Sequence, residues 1–151
     1  MKHLSTIMIA AMAGALAIAT LTPSGLAQDA AAAVKARQDV MKSNGATNGR
    51  IAKSDNAKAI ADDANILVGN AKKLATLWPA NSITPDSNAK PEIWQNMADF
   101  TAKLKAFEAA ATQLAAVAAK GDVQAAKDAQ KAVGGACGAC HQAFRGPLKG
   151  K

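Results

Sequence analysis

The chain has 151 residues and a formal charge of +7; half its residues are apolar and only 3% are aromatic. That is length for one compact domain, and it is too apolar for a disordered chain. The few aromatics, with no tyrosine among them, argue against a β-sandwich or barrel, whereas abundant Ala with Leu, Ile and Val suits closely packed helices.

The first 27 residues read as a secretory signal peptide. Lys2 gives a positive start, Ile7 to Leu21 form the apolar run, Pro23-Ser24-Gly25 break it, and Gly25-Leu26-Ala27 is a small-x-small cleavage site before Gln28. As a membrane anchor the run is short, since roughly 20 apolar residues are needed to span, and no positive stop-transfer flank follows it. No later stretch is long and apolar enough to span. The mature domain is therefore residues 28–151. It keeps one histidine, His141, and two methionines, Met41 and Met97.

Four helices follow. Helix A is expected over about Asp29–Asn48 and helix B over about Asp55–Trp78, with Ser54 and Asp55 as candidate caps and Pro79 as the stop. A linker, Pro79–Lys90, rich in Pro, Ser, Asn and Asp, comes next. Helix C is expected over about Pro91–Lys120, with Pro91 and Glu92 in its first turn. Gly121 separates it from helix D, about Asp122–Leu148, capped by Asp122.

Spacing carries the assignment. Ile60, Ala64, Leu67, Ala71, Leu74 and Trp78 recur at alternating intervals of four and three. Ile93, Met97, Phe100, Leu104, Phe107, Ala111, Leu114 and Ala118 do the same, as do Val123, Ala126, Gln130, Val133, Cys137, Cys140 and Phe144. Each series buries one stripe of a helix, as an antiparallel four-helix bundle requires, and no segment alternates like a strand. The fold class is all-α. The lysines lie mostly off these stripes and read as a solvated surface. Basic residues form no dense run and no aromatics interleave with them, so nucleic-acid binding finds no support. The net positive surface can steer an acidic partner.

The chemistry lies at Cys137-Gly138-Ala139-Cys140-His141. This is C-x-x-C-H, the attachment signature of c-type haem. Cysteines three apart share one helix face, so both thiols reach the vinyl groups of one porphyrin, and the next residue supplies an imidazole to the iron. Gly138 and Ala139 are small enough to leave room for the ring, and Gly134, Gly135 and Ala136 keep the preceding turn slim. A disulfide would leave the adjacent histidine unexplained. A thioredoxin-like pair expects a βαβ setting, and zinc needs a fourth ligand that the mature chain does not supply.

A C-x-x-C-H near the C-terminus of a secreted four-helix bundle resembles the class II cytochromes c, the cytochrome c′ and c-556 proteins. The resemblance runs through Cys137–Arg145, through Pro91-Glu92-Ile93-Trp94, and through Val34–Lys42 on helix A. It implies one covalent haem c, thioether-linked at Cys137 and Cys140, with His141 as axial ligand. It also implies that the sixth position is decided on helix A. An apolar residue there leaves five-coordinate iron open to nitric oxide or carbon monoxide, whereas a methionine gives low-spin iron suited to electron transfer. Met41 occupies that position, as in the c-556 pattern.

The periodicity agrees with this, because Ala30, Val34, Arg37, Met41, Asn44 and Asn48 share one helix face. Met41 is then either an iron ligand or a packing residue. Its polar seam neighbours suggest a haem edge with its propionates, while Met97, among Ile93, Phe100 and Leu104, reads as ordinary core. Arg37 is either a propionate partner, bound as a charge-assisted fork, or a solvated residue at the helix edge. Arg145 is either a basic residue near the proximal pocket or a surface residue at a helix C-terminus. Trp94 and Phe144 read as core and haem-packing residues. The implied function is a periplasmic electron carrier, a monomer or homodimer, with redox protein partners. The alternative is a gas-binding protein. An enzyme is not expected, because no spare mature histidine remains for distal acid–base work.

Overall fold

The computed structural model describes residues 23–148, with side chains from Asp29 onward. The expected cleavage site before Gln28 therefore falls near its edge, and residues 1–22 of the expected signal peptide lie outside the described residues. Four long helices and one short turn follow in order: α1 (Pro23–Lys53), α2 (Ala57–Ala75), α3 (Glu92–Gln95), α4 (Met97–Ala118) and α5 (Val123–Phe144). No strand occurs among the described residues; a single antiparallel bridge joins Ala89 to Arg145.

α1 is longer than expected at both ends. Pro23 opens it rather than preceding it, since a helix start tolerates proline's missing N–H. Beyond Asn48 it passes through Gly49 because Thr47 and Ile51 are buried in the core. Arg50 pairs with Asp63 of α2, and Lys127 of α5 donates to the terminal carbonyls of Ile51 and Ala52. Tertiary contacts thus outweigh the weak helix propensity of Gly45 and Gly49.

α2 is capped by Asn56, whose side chain accepts from the Ala59 N–H at 3.0 Å. Ser54 and Asp55 are not its caps; the Ser54 hydroxyl instead accepts from the Asn56 N–H. The helix ends at Ala75, short of Trp78. The Thr76 hydroxyl binds the Lys73 carbonyl at 2.8 Å, and Pro79 disfavours helical geometry in the residue before it.

The expected single helix C is two pieces. Asn96 leaves helical geometry (φ −133°, ψ 58°) and its side chain caps α4 through the Asp99 N–H. An asparagine side chain competes with the helical ladder in this way. The break turns Met97 outward, 37% exposed, so Met97 is not the core residue its spacing suggested. Gly121 (φ 89°) follows α4, and Asp122 caps α5 through the Ala125 N–H. α5 stops at Phe144 rather than Leu148, because Arg145 is extended and pairs with Ala89.

Cross-helix pairs fix the packing. Arg50 meets Asp63 and Asn44 meets Asn70, so α1 and α2 run antiparallel. α2 packs on α4 and α4 on α5, while α1 and α5 meet at few points. The core falls into two clusters. One centres on Ile51, Ile60, Leu67, Phe107, Leu114 and Val133. The other centres on Val40, Leu74, Ile93, Phe100, Leu104 and Phe144.

Candidate haem site

α1 and α5 are tied together at one end. Gln130 donates to both the carbonyl and the side chain of Asn48 at 3.0 Å, and Lys127 reaches the C-terminus of α1. Toward the other end a cavity of about 780 Å³ separates them, within the ~300–1,000 Å³ range of small-molecule sites. α5 lines it with Val133, Ala136, Cys137, Cys140, His141 and Phe144; α1 faces them with Val34, Arg37, Met41 and Asn44. Leu67, Leu74, Trp78, Phe100, Leu104 and Phe107 form the apolar back wall, and Lys42, Lys103 and Arg145 stand among the lining residues as cations.

Cys137 and Cys140 are half-buried free thiols. Burial raises both above the ordinary thiol range, so they are neutral at pH 7. Cys137 packs on the first core cluster and Cys140 on the second. His141 follows on the same helix. Burial, and then the charge of Arg145, hold its imidazole below the usual histidine range, leaving a neutral nitrogen able to bind a metal. Among the described residues no group of three or more His, Cys, Asp or Glu side chains gathers as a metal site.

Met41 lies half-buried in the cavity wall, on the helix facing Cys137, Cys140 and His141. Met97 does not reach the cavity. The polar neighbours of Met41, which suggested a haem edge, have partners in the protein. Asn44 accepts from Asn70 at 2.8 Å and Asn48 accepts from Gln130.

Arg37 is 4% exposed, and so is not a solvated residue. Its Nη1 donates to the Leu77 carbonyl at 3.0 Å and to the Ser82 hydroxyl at 2.7 Å; Nη2 donates to the Ser82 carbonyl at 2.5 Å. Its guanidinium lies 4.4 Å from the ring centre of Trp78. Both terminal nitrogens thus hold the loop after α2. Arg145 is exposed, and its side chain lines the cavity while its backbone ends α5.

Of the small residues around the motif, Ala136 lines the cavity, while Gly134, Gly135, Gly138 and Ala139 are not among its lining residues. Phe144 packs edge-on against Phe100 and lines the cavity. Trp94 lies outside its wall, donating to the Pro79 carbonyl at 3.1 Å. Trp78 is a site residue that spacing alone presented as core. Its Nε1 is buried without a hydrogen-bond partner, in a side chain that lines the cavity. Its position at the end of the helix B stripe, beside the linker, was the available signal.

These residues fit the group that C-x-x-C-H implies. Two thiols and a neutral imidazole stand on one helix, a thioether lies on the facing helix, and the apolar cavity between them holds an unpartnered donor. Among the described residues, no helix is long and apolar enough to cross a membrane.

Known proteins resemble this chain in sequence and in fold. The family model described as Cytochrome C′ matches residues 32–145. The chain is 36% identical over 118 residues to a cytochrome c′ of Alcaligenes xylosoxydans xylosoxydans, covering 75% of this chain and 92% of that protein. It is 32% identical over 118 residues to a cytochrome c-556 of Agrobacterium tumefaciens, strain II Chrys, covering 74% of this chain and 95% of that protein. The crystal structure of cytochrome c′ from Thermochromatium tepidum superposes with a TM-score of 0.71 at 29% identity, over 78% of this chain and 97% of that one. With the motif, the bundle and the cavity in agreement, the chain belongs to the cytochrome c′ family, class II cytochromes c that bind one covalent c-type haem.

Proposed function

We propose that the protein is a periplasmic electron carrier in which His141 and Met41 would both ligate the haem iron. The observation that carries this reading is Met41 in the cavity wall, facing the Cys137-Cys140-His141 helix. When bound, the haem supplies a one-electron couple. Cys137 and Cys140 keep it on the protein after secretion. The neutral His141 offers its lone pair without first losing a proton. The Met41 thioether, as a second ligand, would raise the potential and limit reorganisation. The apolar wall of Leu67, Leu74, Phe100 and Phe107 excludes water. Lys42, Lys103 and Arg145 place positive charge beside the site, which suits an acidic redox protein. Among the described residues, the cavity lining holds no carboxylate and no histidine besides His141, and we assign no enzymatic step. In this reading residues 1–27 direct export and are then removed, and the intact mass of the mature protein is expected to correspond to a chain beginning at Gln28.

A second reading has its own support. The relatives named cytochrome c′ include a variant of the Alcaligenes xylosoxidans protein solved as a nitric oxide complex. In that reading Met41 only packs, and the sixth position stays open. A ferric absorption spectrum separates the two. Ligation by Met41 gives a low-spin spectrum with a weak far-red sulfur-to-iron band, and slow or incomplete carbon monoxide binding in the reduced form. Met41→Leu then removes the band, yields high-spin iron and opens the site to carbon monoxide, while Met97→Leu changes nothing. A wild type already high-spin overturns the electron-carrier reading in favour of gas binding.

A further inference from the structure

Arg37 and Trp78 together pose an electrostatic problem. The Arg37 guanidinium is buried, yet no carboxylate lies within ion-pair distance of it among the described residues. All three of its hydrogen bonds go to neutral oxygens of Leu77 and Ser82. Stacked against it is Trp78, whose buried Nε1–H has no acceptor. A buried cation without a counter-charge and a buried donor without an acceptor are each unfavourable alone. Both are answered by one anion reaching them from the cavity that both residues line.

We propose that Trp78 is a haem-anchoring residue, donating its indole N–H to a propionate whose charge Arg37 balances. This rests on the haem reading above and divides the work differently from an arginine fork. The terminal nitrogens of Arg37 are held by the loop, so Arg37 contributes field and Trp78 contributes the directed hydrogen bond. An acid group accepts such a bond better when ionised, so the bond holds the propionate pKa down.

The test uses the haem-loaded protein. Trp78→Phe keeps a ring against Phe100 and Trp94 but removes the N–H. The propionate inflection in the midpoint potential against pH is expected to rise by about 1 unit, and the propionate bending band in the resonance Raman spectrum is expected to shift. Trp94→Phe, which removes a donor bound to Pro79 outside the cavity, is expected to move neither. An unchanged inflection and band in Trp78→Phe overturn the proposal.

If Trp78→Phe fails to load haem, Trp94→Phe leaves Trp78 as the sole tryptophan. Its ultraviolet Raman band must then report a bonded N–H that weakens as the propionate is protonated. A free N–H, or a band indifferent to pH because a buried water accepts the bond, overturns the proposal equally. A protein carrying no covalent haem at all fails the earlier reading first, so the two failures are distinguishable.

Discussion

The two ends of the α1–α5 pair are built from the same helices and behave oppositely. At the Asn48–Gln130 end the helices are joined by hydrogen bonds, and Ile51, Phe107, Leu114 and Val133 share one apolar cluster. At the Met41–His141 end they stand apart around a cavity. α1 stays attached there through Val40 in the second cluster and through Arg37, which grips the loop after α2. A bundle can therefore hold a large opening open, provided that its closed end packs densely and the open end is braced by something other than the missing helix–helix contact.

Four perturbations probe this difference. The largest effect belongs to the open end and concerns the cofactor: Cys137→Ala with Cys140→Ala is expected to abolish covalent attachment, checked by acid–acetone extraction of the pigment, which the wild type should resist. Next, Leu114→Ala at the closed end removes a fully buried side chain and is expected to lower unfolding free energy by about 2–5 kcal/mol. Met41→Leu, at a wall that already borders a cavity and close in volume, is expected to cost under about 1.5 kcal/mol of unfolding free energy in the haem-free chain. Urea denaturation of both variants measures these losses, and a Met41→Leu loss as large as that of Leu114→Ala would mean that the Met41 wall is packed too tightly to accept a near-isosteric change. The smallest effect is that of Gln130→Ala, which leaves Asn48 without its partner and is expected to cost about 1 kcal/mol. If it instead costs as much as Leu114→Ala, hydrogen bonding rather than apolar packing closes that end.

Much of this was legible in the sequence because helices announce themselves by period. Three of the four seams predicted from spacing are the buried stripes of α2, α4 and α5, and Gly121-Asp122 marks the start of α5 as its residue types require. The motif at Cys137–His141 was equally plain. What stayed hidden depends on which of two competing partners a polar group takes. Asn96 sits inside an apolar seam that reads as continuous, yet its side chain chose the cap, and the break redirected Met97. Asn44 and Asn48 looked like a polar cofactor edge because nothing local reveals that Asn70 and Gln130 stand opposite them. The loop that captures Arg37 lies about forty residues away in the chain, beyond the reach of any local pattern.

Cys137 belongs to one core cluster and Cys140 to the other, a helical turn apart. Two apolar clusters in one chain are candidate foldons, able to open separately with different free energies. A rigid ring bonded to both thiols would act as a rivet across that seam, because neither cluster could then loosen without straining a bond anchored in the other. Haem attachment in this fold would then merge two local equilibria into one. Amide exchange would register that merger as protection levelled across the bundle in the loaded protein and split between its halves in the unloaded chain.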